Sequence, residues 1–540
     1  MKHKIAVAQI NPTLGDLPGN GRKIIEYIER ARQMSADIVI FPEQVVTGYP
    51  AQDLLLHEDF VRDTMFVNER IVENTKGITA IIGTIEQTPR GPNGKTLHNI
   101  AIVAKDGAII GKQAKTLLPT YDVFSEQRYF TPAENAEPIE IDGVKFGIQI
   151  CEDMWDELYT RKITKELVKK GAKAIINLSA SPWTIGKKQT RYDLIREHAR
   201  ANAVPFIYAN MVGGQDELIF DGASLAVNQK GELCAEFPQF KEQLAVIDFS
   251  KTKTLEKMVR EEELFKGLTL GLRDFFHKNN LTKAILGLSG GIDSAVTAII
   301  AAEALGPQNV KALALPSQYS TPNAYKDAKE LAERLKIDFD IVPIKGMYDS
   351  VLSELNEKFE GKQFDATEEN IQARLRMIVL MAYANKHKYT LLSTSDKSET
   401  ALGYTTLYGD MSGAISIITD LTKPEVYDLA KWYNAKHGLI IPTSTLSKPP
   451  SPELKPGQVA PFDYPKLSPL LERMTNQERM QNLLKDYPIE DVRAMYRKWR
   501  GNEFKRYQAP IALKCKPTAF GMGRQYPITN QYVPRALLEP

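Results

Sequence analysis

With 540 residues, 43% of them hydrophobic and 25% charged, the chain is too long for one ordinary domain and too rich in apolar material to be disordered. Lys and Arg total 69 against 67 acids, a net charge of +2, so no basic field marks a nucleic-acid binder. Three cysteines, at 151, 234 and 515, are too few and too scattered for a disulfide framework or a zinc site, which favours a reducing compartment.

The N-terminus, MKHKIAVAQINP, starts basic, but its apolar run ends at Pro12 and is too short for a signal peptide. From residue 4 to 249, short apolar runs alternate with amphipathic segments. IAVAQI, ADIVIFPE, ITAIIGTI, NIAIVAK, AIIGKQAK, VKFGIQIC, AKAIINLS and PFIYANM read as buried strands from their length and β-branched content. GRKIIEYIERARQM and TKELVKKG read as helices between them, which predicts a layered α/β domain.

Three reactive side chains follow strand-like runs: Glu43 after ADIVIFP, Lys115 after AIIGKQA, and Cys151 after VKFGIQI. Strand ends of a layered domain collect on one rim, so residues far apart in sequence can meet there. A buried thiol alone is usually inert, but beside a carboxylate base and a lysine it becomes a nucleophile. No histidine shares these strand ends, and His198 falls in a helical stretch. FPEQVVTGYP, KTLLPTYDVFSEQRYF and ICEDMW resemble the three motifs of the nitrilase (carbon–nitrogen hydrolase) family, in the glutaminase branch attached to NAD synthetases. The resemblance implies a four-layer α-β-β-α sandwich with Glu43 as general base, Cys151 as nucleophile on a glutamine amide, and Lys115 with the Glu152 N–H on the oxyanion. It also implies glutamine recognition by Tyr49, Tyr121, Glu152 and Ser181, with Glu126 supporting the triad. Lys187 stands where relatives often carry Arg. Asn177 and Asn210, at strand ends, read as satisfying loop backbone groups.

Residues 250–264, KTKTLEKMVREEELF, are highly charged and read as a linker between domains 1–249 and 265–540. Beyond it AILGL, VKALALP, FDIVPI and YTLLSTS alternate with helical segments, which predicts βαβ units and a parallel sheet. The longest apolar stretch, AVTAIIAAEAL, is shorter than the ~18 residues of a membrane span. A soluble, cytoplasmic protein with no membrane or nucleic-acid partner is expected.

AILGL runs straight into Ser289-Gly290-Gly291-Ile292-Asp293-Ser294, with a helix expected from Ala295. The glycines permit positive φ and close backbone approach, and successive N–H groups at a helix start make an anion pocket. Ser289 and Ser294 add hydroxyls, and Asp293 can hold a Mg²⁺ that bridges phosphate oxygens. No Lys follows the glycines, so this is not a Walker A loop. On a helix, Asn370, Arg374 and Met377 would lie near one face, while Gln372 and Arg376 would lie on another. Arginine forks there would match diphosphate and carboxylate oxygens.

SGGIDS resembles the signature of the N-type ATP pyrophosphatases, which cleave ATP to AMP and pyrophosphate and adenylate a substrate oxygen. ENIQARLR at 369–376, STSDKSE with GYT at 393–405, YGD at 408–410 and LTK at 421–423 resemble the NAD synthetases within that superfamily. The resemblance implies ATP binding by residues 289–294 and Thr394, deamido-NAD binding by Asn370, Arg374, Glu399 and Lys423, and Mg²⁺ on Asp293 and Glu399. It places YGD and LTK in a mobile segment that closes over the substrate. Glutaminase followed by ATP pyrophosphatase resembles glutamine-dependent NAD synthetases along nearly the whole chain. That implies deamido-NAD, ATP and glutamine as small-molecule partners, and a homo-oligomer. A GMP synthetase would need a Cys–His–Glu glutaminase, which is absent from the sequence.

Overall fold

A computed structural model describes residues 3–91 and 93–538, in two compact units, Met1–Met258 and Val259–Pro540. The expected linker at 250–264 straddles that division. Its last five residues are the first turn of a helix, Arg260–Lys278, which buries Leu264 and Phe265.

Strands of the first unit are β1 (Ile5–Gln9), β2 (Ile38–Ile40), β3 (Thr79–Gln87), β4 (Leu97–Lys105), β5 (Ala108–Ala114), β6 (Ile139–Ile141), β7 (Val144–Ile150), β8 (Ala174–Ser179), β9 (Phe206–Asn210), β10 (Val212–Gln215), β11 (Leu218–Asp221), β12 (Leu225–Val227), β13 (Leu233–Glu236) and β14 (Gln243–Val246). They build two six-stranded sheets, in the orders β14-β1-β2-β3-β4-β5 and β13-β12-β9-β8-β7-β6, with β10 and β11 forming a separate hairpin. β1, β2 and β3 run parallel, as do β7, β8 and β9.

The period-2 alternation of strand side chains explains the layers. Ile5 and Val7 of β1 face inward and pack with Ile148, Ile176 and Ile207 of the opposite sheet. Ala6 and Ala8 face outward, beneath Ile24, Ile28 and Ile71 of α1 (Leu17–Gln33) and α2 (Glu58–Glu73). α3 (Ile163–Lys169) and α4 (Lys187–Asn202) cover the outer face of the second sheet through Leu167, Ile195 and Ala199. The result is the expected α-β-β-α sandwich. One expected element differs: AIIGKQAK is not a buried strand, because β5 lies at the sheet edge and leaves Ile109 and Ile110 more than 40% exposed.

The second unit holds β15 (Ala284–Gly287), β16 (Val310–Ala314), β17 (Asp338–Ile341), β18 (Thr390–Ser393), β19 (Ile415–Ser416) and β20 (Ile511–Ala512), all parallel, in the order β17-β16-β15-β18-β19-β20. Its helices include α5 (Arg260–Lys278), α6 (Ile292–Leu305), α7 (Pro322–Leu335), α8 (Lys345–Leu355), α9 (Ala366–His387), α10 (Lys397–Leu402), α11 (Lys423–His437) and, further on, α12 (Tyr464–Thr475). α6 is apolar nearly all round and correspondingly buried, packed against α5 and α11. It begins at Ile292, three residues before the expected Ala295, so Asp293 and Ser294 are already helical. α8 and α9 cover the other face through Tyr348, Leu375, Val379 and Leu380. Strand order reverses at β15, between β16 and β18. The loops leaving β15 and β18 therefore meet at the carboxyl edge where parallel sheets bind ligands. Among the described residues no helix is long and apolar enough to cross a membrane. The three cysteines are free thiols.

Candidate active sites

In the first unit the three sequence-predicted reactive residues converge. Glu43 sits in the turn after β2, Lys115 directly after β5, and Cys151 directly after β7. The Lys115 ammonium donates to Glu43 Oε1 at 2.8 Å and to Glu126 Oε1 at 2.7 Å. Glu43 is held by two further donors, Asn99 Nδ2 at 2.7 Å on Oε1 and the Ala180 N–H at 2.9 Å on Oε2. Gly83 is needed here: a Cβ would fall 2.2 Å from the Pro42 carbonyl oxygen and 2.6 Å from Glu43 Cα. Burial pulls the Lys115 ammonium toward neutrality, but Glu126 and Glu43 outweigh it and hold its pKa well above the ordinary lysine value. Burial and the Glu43 charge push the Cys151 thiol up, with Lys115 opposing.

Cys151 has φ +42°, a left-handed conformation that non-glycine residues adopt only when surroundings enforce it. The enforcement is visible. Asp153 accepts from the Ile150 N–H with one oxygen and from the Thr116 and Leu117 N–H groups with the other, tying the Cys151 turn to the Lys115 loop. Asn177 Nδ2 donates to the Cys151 carbonyl at 3.4 Å, and Asn210 Oδ1 accepts from the Ser181 N–H. Both asparagines serve loop backbone, as expected.

The residues expected to recognise glutamine surround this set. Tyr49 donates to Glu126 Oε1 at 3.0 Å. Tyr121, half exposed, donates to Glu152 at 2.9 Å, and Tyr159 donates to the same carboxylate at 3.0 Å. Ser181 is fixed by Arg191, a fully buried guanidinium that reaches Ser181 Oγ and its carbonyl and pairs with Asp221 at 2.6 Å. Lys187 opens α4, with its ammonium 4.4 Å from the Trp155 ring centroid, and burial lowers its pKa. Asn99, Asp153, Tyr159 and Arg191 were not singled out in the sequence.

In the second unit the loop after β15 is self-bonded. Ser289 Oγ and Ser294 Oγ lie 3.2 Å apart, the Gly291 N–H reaches Ser289 Oγ, and Ser294 Oγ donates to the Gly291 carbonyl. Gly290 has φ +78°, and a Cβ there would stand 2.1 Å from the Ala324 carbonyl oxygen, so only glycine fits. Lys423 is buried as the first residue of α11. Its ammonium meets Asp293 at 2.7 Å, Glu399 at 2.9 Å and Asp396 at 3.2 Å. Burial raises Asp396 and Glu399, Lys423 opposes this, and the neighbouring carboxylates add to it. Three carboxylates against one ammonium leave a deficit of positive charge. Asp293 Oδ1 is buried without a partner. These features fit a divalent cation. Among the described residues, no group of three or more Asp, Glu, His or Cys side chains forms a metal cage by itself. That suits Mg²⁺, which is typically held by one or two carboxylates together with phosphates and water.

A cavity of about 300 Å³ opens on this cluster. Ser289, Gly291, Ile292, Asp293, Ser294, Thr394, Glu399 and Lys423 line it, together with Leu313, Leu315, Met377 and Leu380. Arg376 also lines it, bonded to the Leu315 carbonyl and pulled down to about 10 by burial. Gly290, Asn370 and Arg374 lie outside its walls. Asn370 accepts from Thr406 Oγ1 at 2.7 Å, and the exposed Arg374 donates to the Leu407 carbonyl at 3.2 Å.

The carbon-nitrogen hydrolase family model matches residues 4–256 and the NAD synthase model residues 264–509. A glutamine-dependent NAD(+) synthetase of Thermotoga maritima is 38% identical over 98% of this chain and 99% of its own length. One of Synechocystis sp. is 40% identical over the same shares. The solved structure of glutamine-dependent NAD+ synthetase from Acinetobacter baumannii, in complex with adenosine diphosphate, is 35% identical, with a TM-score of 0.79 over 98% of both chains. Two family matches in this order, and full-length identity at this level, show that the chain belongs to the glutamine-dependent NAD(+) synthetase family.

Proposed function

We propose that unit Met1–Met258 hydrolyses glutamine and that unit Val259–Pro540 spends ATP to amidate deamido-NAD with the ammonia released. In the first step Glu43 takes the Cys151 proton as the sulfur attacks the glutamine amide carbon. Lys115 and the Glu152 N–H stabilise the oxyanion. Ammonia leaves with the proton that Glu43 returns, and water then hydrolyses the thioester to glutamate. Tyr49, Tyr121, Glu152, Ser181 and Lys187 orient the amino acid.

In the second unit an oxygen of the nicotinate carboxylate attacks the α-phosphorus of ATP, and pyrophosphate leaves into the loop at 289–294. Ammonia then attacks the acyl carbon and AMP departs, giving NAD. Thr394 supports ATP, and Asn370, Arg374, Glu399 and Lys423 support deamido-NAD. Mg²⁺ held by Asp293 and Glu399 would supply neutralisation of the phosphate charge. The reading extends to a cytoplasmic homo-oligomer.

The observation that carries the proposal is the acidic cluster on Lys423, set beside a glycine loop at the carboxyl edge of a parallel sheet. With ATP, Mg²⁺ and glutamine, the protein is expected to form AMP and NAD in equal amounts from deamido-NAD and nothing from xanthosine monophosphate. AMP formed with xanthosine monophosphate, or none with deamido-NAD, overturns the substrate assignment.

A further inference from the structure

Behind the acidic cluster lies a second charged network that the reaction scheme does not use. Lys397 pairs with Asp420 at 2.8 Å and Glu472 at 3.1 Å. Lys516, from the segment after β20, pairs with the other oxygen of Glu472 at 2.8 Å and with Glu425 at 2.6 Å. Arg260 reaches the second Glu425 oxygen at 2.6 Å. Three cations therefore face three carboxylates and the network is neutral, in contrast to the cluster around Lys423.

The two networks share backbone. Glu425 Oε2, the oxygen that Lys516 holds, also accepts from the Thr422 N–H and Thr422 Oγ1, each at 2.8 Å. Thr422 caps α11, and the next residue is Lys423. Asp420 accepts from the Cys515 and Lys516 N–H groups at 2.9 and 2.8 Å, so the same late segment also grips the turn leading into α11. On the far side, Lys397 lies between Asp396 and Glu399 in sequence, and its N–H bonds the Leu421 carbonyl.

We propose that Lys516 is a positioning residue for the synthetase reaction: through Glu425 and the Thr422 cap it fixes the start of α11, and so holds the Lys423 ammonium over Asp293 and Glu399. Lys516 itself is buried and does not line the cavity. The inference rests on the reading of the Lys423 cluster as the ATP site. It carries a pH signature. Glu425 is subject to burial, which raises its pKa, but Lys516 and the Thr422 donors bring it down to about 2. The groups facing it are Lys516 and Cys515 from the late segment, Arg260 from α5, Glu472 from α12, and Asp420 with Lys397 beyond. Without Lys516 the largest opposition to burial is gone, so Glu425 binds a proton at higher pH and the cap weakens.

The test uses the full chain with ammonium chloride as nitrogen source and follows AMP formation, with thermal melting by circular dichroism as the measure of folding and glutamine hydrolysis as the control for the other unit. Lys516→Met is expected to lower kcat for AMP formation about 10- to 100-fold, as loss of a residue that orients a site side chain does, while glutamine hydrolysis is unchanged. Its kcat should show a loss on the acid side that the parent, whose Glu425 stays ionised, lacks. Lys516→Arg should recover most of the rate and the parent profile. Should Lys516→Met fail to fold, Glu425→Gln tests the same link, because it removes the titrating group and should lower kcat without the acid-side loss. Rates within about twofold of the parent for either folded variant, with an unchanged profile, overturn the inference. Asp293→Ala separates the two levels. Intact AMP formation in that variant sinks the site reading itself, whereas its loss beside an unaffected Lys516→Met sinks only the positioning role.

Discussion

Glu43, Lys115 and Glu126 are each at most 4% exposed, and together they place two carboxylates on one ammonium. A buried charge without a partner costs several kcal/mol, so the surplus negative charge is relieved by a proton. Glu126 carries it: burial pushes this carboxyl up to about 7, with Lys115 opposing and Glu43 adding, and Glu126 Oε2 has no partner. The Cys151 thiol is pushed up in the same environment, so the nucleophile is not a standing thiolate. In the proposed mechanism it forms only as Glu43 takes the proton. The linkage has a definite sign. A carboxyl raised by folding keeps its proton in the native state while the unfolded chain releases it, so its contribution to stability falls as pH rises from about 4.5 to about 7. Glu126→Gln removes that loss. The variant should melt with the parent near pH 5 and above it near pH 8, by on the order of 3 °C. Asp153, also pushed up to about 7 by burial, titrates in both proteins and cancels in the difference. Equal melting differences at both pH values would sink the assignment of the proton to Glu126.

At the scale of elements, both sites are built where a strand ends in a turn that only one backbone path allows. The first turn is held by Asp153, the second by Gly290. Gly290→Ala would drive a methyl into the Ala324 carbonyl at positive φ and displace the N–H groups of the loop. A shift of about 1 Å in such a site costs on the order of 10²-fold. AMP formation should therefore fall by about that factor while glutamine hydrolysis in the other unit is kept; an unimpaired rate would show that the loop does not hold phosphate. Turns of this kind are legible in sequence because the strand, the glycines and the reactive residue are contiguous. Glu43, Lys115, Cys151 and residues 289–294 could be found for that reason. Asn99 could not: it lies inside β4, and its partner Glu43 is 56 residues away. Asp396 looks like a helix cap and is one, accepting the Glu399 N–H at 2.8 Å. Its approach to Lys423 depends on where α11 packs. Arg374 and Arg376 stand roughly 200° apart on α9, and periodicity fixes that angle without saying which of them meets the cavity. The edge position of β5 is equally a property of the sheet, because AIIGKQAK has the composition of a buried strand.

At the scale of the molecule, each unit has its own core and its own electrostatic device, and the two devices differ in kind. The first is a closed set of buried groups, the Cys151 thiol beside two carboxylates that share the Lys115 ammonium. The second sets three carboxylates on one ammonium and is short of positive charge, which a divalent cation would supply. Chemistry divided in this way should be separable by a change that leaves both folds intact. Cys151→Ala is such a change, because it deletes one sulfur from the inter-sheet core and adds no volume. Losing a covalent nucleophile costs on the order of 10⁴- to 10⁶-fold, so NAD formation from glutamine should fall to background. The carboxylates on Lys423 and the loop at 289–294 are untouched by the substitution. NAD formation from added ammonium chloride should stay within about twofold of the parent, measured with saturating ATP and deamido-NAD. If both nitrogen sources failed equally, ammonia could not be the species passed from the first chemistry to the second. Cys151 would then have to act in the adenylation itself, against its place beside Glu43 and Lys115 in the other unit.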